Sequence, residues 1–356
     1  MEHNTTEAAF DGTRRSVYAL AVPALLLGCF LSFIFNAGVL LSVRWLRRVL
    51  SPTLCFSLSL TFADAYSSLL LGTGLFVNSY LPSHGVSLGP KEDCFRLGLE
   101  AFRLSGLLVS ALHLLALAVN HYLGILRPLH YASTVTRRTC ELVIGFLWIG
   151  PIVFFLVYFS VVPGEGFQSE NCSKVGFFRR SPFSVTLSSL FALPLLFMMF
   201  IYCHIYVVIR HHRYGVIQMA SSRHLRRNVK AVRTTLCILG TYIACWMPAV
   251  VFFVLTCVEC PYPITEVPMD VRVSLGISTN ALIIVKALVD PFIYAARMPE
   301  VKDAVLKMIH CHPVPKTANC KRSCLVTRTD TLTSSLRLMY MRRGSSLKTR
   351  TETFRC

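Results

Sequence analysis

The chain has 356 residues, of which 54% are hydrophobic and only 15% charged, and its mean hydropathy is +0.55. The length alone would allow two or three soluble domains; the composition excludes them and marks a membrane protein. The net charge of +18 would suit nucleic acid in a soluble protein. Half of it (13 Lys/Arg against 4 Asp/Glu, +9) falls between Arg297 and Cys356, beside apolar spans rather than on a folded basic face, so nucleic acid is not expected as a partner.

In chain order, residues 1–16 are polar, and no short apolar stretch with a small-residue cleavage site precedes the first span, which is expected to act as the insertion signal. Span one runs from Val17 to Val43, holds Asn36, and is closed by Arg44, Arg47 and Arg48, which predicts an outside N-terminus. Span two, Thr53 to Tyr80, carries Asp64, and a lone acid in such a run is expected to face other helices. Span three, Phe95 to Leu126, ends in Asn120-His121-Tyr122; span four, Thr139 to Val162, holds Trp148; span five, Phe183 to Ile209, holds Pro194 and Tyr202. A basic loop follows that has no run long enough to cross. Span six, Val232 to Val258, contains Cys245-Trp246-Met247-Pro248, and span seven, Val271 to Ala296, contains Asp290 and Pro291.

Asp290 and Pro291 lie inside an apolar run, where a carboxylate is costly and a proline frees backbone groups that lipid cannot satisfy, so this break must face protein or water. After Arg297 and Pro299, Val301, Val305, Met308 and Ile309 recur at helical spacing against Lys302, Asp303 and Lys307, the pattern of a helix on a membrane surface. The expected fold is therefore an all-α membrane protein, a seven-transmembrane helix bundle with a short amphipathic eighth helix. Its regions are an extracellular segment 1–16, the bundle 17–297, the surface helix 298–311, and a basic, cytosolic, disordered tail 312–356. Asn4 and Asn171 open glycosylation sequons on the side expected to be outside. His310, Cys311, His312, Cys320 and Cys324 match the spacing of no common zinc site, and no cofactor or metal is expected.

Asn36, Asp64, Trp148, Pro194, Tyr202, Cys245-Trp246-x-Pro248 and Asp290-Pro291-x-x-Tyr294 fall one set to each span. In that order they resemble the landmarks of rhodopsin-like G-protein-coupled receptors over residues 17 to 311. The resemblance implies a plasma-membrane receptor that binds an extracellular ligand and activates a heterotrimeric G protein, with membrane lipids and arrestin as further partners. Tail hydroxyls such as Thr327, Thr329 and Ser334 would be phosphosites for arrestin. It implies a disulfide between Cys94 and Cys172, palmitoylation of Cys311, and Trp246 at the floor of the ligand cavity beside the kink at Pro248. Tyr202 and Tyr294 resemble tyrosines that turn inward on activation; their other reading is interfacial anchoring. Cys257 and Cys260 could clip the third outer loop.

Ligand chemistry is read from span three, where the position that carries an acid in amine receptors is Arg103, one turn below Glu100. These two either pair within the helix or meet ligand. An unpaired Arg103 would favour a carboxylate or phosphate and disfavour an amine, which leaves lipid or peptide ahead of amine, with Trp246 and Asn280 as further contacts. Lys286 stands where the family usually has Asn in a sodium site with Asp64 and Ser110, and its ammonium is expected to replace the ion.

The pattern Asp-Arg-Tyr of the family is here Asn120-His121-Tyr122. A histidine of ordinary pKa, near 6.5, is mostly neutral at cytosolic pH. Asn228, at the start of span six, supplies no acid for the family's resting ion pair. Weak coupling through His121 and Tyr122 is therefore expected, with a resting state held by packing. A seven-span binding or scaffolding protein impaired in signalling is the alternative. A transporter lacks support from repeated halves or paired broken helices, and no nucleophile–base pair marks an enzyme.

Overall fold

The structure, a computed structural model, describes residues 2–46, 51–86, 89, 92–215, 223–259, 263 and 266–310. The principal helices are α1 (Glu2–Ser42), α2 (Pro52–Leu75), α3 (Glu92–Leu126), α4 (Arg137–Val161), α5 (Ser181–Gly215), α6 (Arg223–Leu255), α7 (Met269–Arg297) and α8 (Pro299–Ile309), with no strand among the described residues. Among the described residues, six of these are long and apolar enough to cross a membrane. In α6 the apolar stretch Leu239–Leu255 follows a first half that carries Arg223, Arg226, Arg227, Lys230 and Arg233. The helix α1 starts at Glu2, well before the apolar run that defines its span, whose window is Ala19–Trp45.

Local chemistry sets several ends. Ser51 caps α2 by accepting from the Leu54 amide at 3.3 Å, with Pro52 at the first helical position. Thr136 caps α4 by accepting from Thr139 N at 3.2 Å. Beyond Leu75, α2 widens into a π turn over Phe76–Tyr80. The helix α3 is the most enclosed, with Ala101, Val109, Ala111, Leu114 and Ala118 fully buried, and it packs against α2, α4, α5 and α6. Large apolar side chains that remain exposed, such as Leu27, Phe146 and Phe200, are those a bilayer would cover. The short α8 turns back beside α1 and α7 and buries Val301 and Ala304.

Several polar groups inside the bundle find partners on neighbouring helices. Pro291 has no N–H, so the carbonyl of Ala287 one turn earlier loses its helical donor, and Asn36 Nδ2 on α1 donates to it at 2.9 Å. Between α2, α3 and α4, Trp148 Nε1 donates to Ser59 Oγ at 3.0 Å, and Ser59 Oγ lies 2.8 Å from His113 Nε2. His113 Nδ1 is 2.8 Å from the Val109 carbonyl. A carbonyl only accepts, so Nδ1 carries the proton, Nε2 accepts from the Ser59 hydroxyl, and the chain of bonds is closed.

Ser59→Ala removes the shared partner of Trp148 and His113 at once. It is expected to destabilise the protein by about 1–3 kcal/mol, read as a lower Tm of the purified protein, while Ser59→Thr stays closer to the native value. An unchanged Tm in Ser59→Ala would show that these bonds do not hold α4.

Candidate functional site

A cavity of about 570 Å³ opens among α3, α5, α6 and α7 at the end of the bundle that carries the disulfide. Its roof is the segment between α4 and α5. Cys172 in this segment is bonded to Cys94 at the start of α3, as the sequence resemblance implies. Val258 N, just beyond α6, donates to Arg179 O at 2.9 Å. Gly166 has φ +60°, and a Cβ there would meet the Phe159 carbonyl oxygen at 2.2 Å, so the turn requires glycine. Close by, Phe159, Phe177, Phe178 and Phe183 pack edge to face and stacked.

All four residues expected to meet ligand line this cavity: Glu100, Arg103, Trp246 and Asn280. Arg103 is not free. Its Nε donates to Glu100 Oε2 at 2.8 Å and its Nη2 to Glu100 Oε1, so the preference for an anion expected of an unpaired Arg103 loses its basis. The i,i+3 spacing on one helix face makes the pair. Trp246 stacks on Phe191 with centroids 4.7 Å apart and planes 11° apart, and Pro248 lies two residues on in α6. Phe191 carried no signal in the sequence, being one apolar residue among many. Nor did Ser188, a buried cavity residue whose hydroxyl has no hydrogen-bond partner among the described residues.

Deeper in the bundle α2, α3 and α7 bring Asp64, Ser110, Lys286 and Asp290 together. Lys286 Nζ lies 2.6 Å from Asp64 Oδ1, 2.9 Å from Asp290 Oδ2 and 2.8 Å from Ser110 Oγ, and Ser110 Oγ is 3.0 Å from Asp64 Oδ1. Lys286 is 3% exposed and Asp290 0%. The ammonium lies among the oxygens of Asp64, Ser110 and Asp290. Burial makes each charge depend on the others, because none has water to fall back on.

At the opposite end His121 is buried, Tyr122 lies 5.6 Å from His204 ring to ring, and Tyr202 is buried. Asn120 Nδ2 donates to Thr53 Oγ1 at 2.9 Å, and Tyr131 OH donates to Asn120 Oδ1 at 2.9 Å. These uncharged bonds tie α3 to the start of α2 and to the short helix Pro128–Thr134 that follows α3. Asn171 is exposed on the roof with φ 53°. Cys257 is disulfide-bonded. The side chains of Asn4, Asn228 and Tyr294, and the whole of Cys260, Cys311 and the tail, lie outside the described residues.

A family model described as 7 transmembrane receptor (rhodopsin family) matches residues 35–294, which takes in the cavity wall, the buried charges and the His121 end.

With its own ammonium in the centre, the native protein is expected to show the same Tm in sodium chloride and in choline chloride at equal ionic strength. Lys286→Asn is expected to lose stability by about 3–5 kcal/mol and to recover part of it in sodium alone. A sodium-specific shift in the native protein, or none in Lys286→Asn, would contradict this.

Proposed function

Because the chain belongs to the rhodopsin family of seven-transmembrane receptors, we propose that it carries the binding of an extracellular ligand to a heterotrimeric G protein. The observation that carries this reading is the cavity itself, which has Trp246 in its wall beside the proline of α6. A ligand pressing on Trp246 and Phe191 favours one of two packings of α6 about Pro248, and the opening this makes at the His121 end receives the G protein. In this reading the disulfide end faces outward at the plasma membrane, α8 lies on the inner surface among lipids, and arrestin reads the tail. The ligand is lipid or peptide rather than amine, since Arg103 sits in the wall and its partner Glu100 is already engaged.

The uncharged bonds of Asn120 favour a second reading, a binding or scaffolding protein with impaired signalling. Asn120 holds Thr53 and Tyr131 through uncharged bonds, and His121 is shorter than the arginine it replaces. Coupling in the first reading is correspondingly weak.

G-protein activation by the native chain, His121→Arg, and Asn120→Asp with His121→Arg, compared at matched surface expression, separates the two. The arginine forms are expected to couple several-fold more strongly. Native coupling equal to theirs would show that His121 does not limit signalling, and no coupling in any form would favour the scaffold.

A further inference from the structure

Among the polar residues that line the cavity, the Glu100–Arg103 pair and Ser188 narrow the ligand. Glu100 and Arg103 are half-buried, with side-chain exposures of 29% and 20%, and they neutralise each other. A ligand carboxylate that drew Arg103 away would leave Glu100 without its partner, and a ligand amine would do the reverse to Arg103; either strands a partly desolvated charge. The closed pair still offers hydrogen bonds. The guanidinium keeps N–H groups beyond those given to Glu100, and the carboxylate keeps lone pairs. A group that both donates and accepts can therefore lie along the pair without opening it. Across the cavity on α5, Ser188 is 4% exposed, and its hydroxyl has no partner among the described residues. The wall also holds Asn78, Asp93, Arg96, Thr279 and Asn280, Arg96 being paired with Glu92, and its larger, apolar part includes Phe183, Phe191 and Trp246.

We propose that the cavity takes an uncharged, mainly apolar ligand whose amide group lies along the Glu100–Arg103 pair, with Ser188 available to a second polar group. This rests on the receptor reading and names the ligand class of the same site. The amide could belong to a fatty-acid amide or to the end of a capped aromatic peptide.

The test is thermal unfolding of the full-length protein in nanodiscs with two matched series: oleamide, oleic acid and oleylamine; and N-acetylphenylalaninamide, N-acetylphenylalanine and phenethylamine. In at least one series the amide is expected to raise Tm at least twice as much as either charged member, and the responding series identifies lipid or peptide. Glu100→Gln should shift the preference to the acid and Arg103→Gln to the amine. Ser188→Ala should reduce the shift by N-acetylphenylalaninamide and leave that by oleamide unchanged. A charged member that ranks first in both series, or a ranking unaltered in Glu100→Gln and Arg103→Gln, overturns the proposal. If no probe moves Tm while the chain still activates G protein unaided, the ligand class is wrong and the receptor reading stands; if neither occurs, both fall.

Discussion

Inside a bilayer a charged group has no water to turn to, so its partners must come from the protein, and that requirement arranges the centre of this bundle. Lys286 is the centre of the arrangement. It joins Asp64 on α2, Ser110 on α3 and Asp290 on its own helix, so that three helices share one set of charges. Little more than one turn away the same helix is interrupted by Pro291, and Asn36 on α1 meets the carbonyl thereby released. The break and the charges thus sit together, and α1, α2 and α3 are all held to α7 near one depth.

The cavity and the His121 end lie on either side of this layer, and their bonds differ in kind. On the cavity side aromatic packing and the paired charges Glu100–Arg103 and Glu92–Arg96 leave room for a guest. On the other side Asn120, Thr53 and Tyr131 make uncharged bonds that depend on geometry alone. In the receptor reading proposed above, a change at Trp246 would reach the His121 end through α6, where Pro248 removes a helical hydrogen bond and lets two packings exchange. The buried charges tie α7 to α2 and α3.

Much of this was legible in the sequence where chemistry is costly. Asp64, Lys286 and Asp290 stand out because a charge in an apolar run demands an explanation, and prolines stand out because they release carbonyls. Glu100 and Arg103 were legible as a pair by spacing, but spacing could not say whether they meet each other or a ligand; the structure has them meeting each other in the cavity wall. Ser188 and Phe191 were not legible, since a serine or phenylalanine in an apolar helix is ordinary until its neighbours are known. The bond between Asn120 and Thr53 joins residues far apart in the chain, and nothing in either local pattern points to the other.

Lys286 and the acids are expected to stabilise the bundle as one unit. A double-mutant cycle of Asp64→Asn, Lys286→Gln and the two together, measured by unfolding of the purified protein, tests it most directly. The expected coupling is at least about 2 kcal/mol, with the double variant more stable than the sum of the single losses implies. Losses that add to within about 0.5 kcal/mol would contradict it.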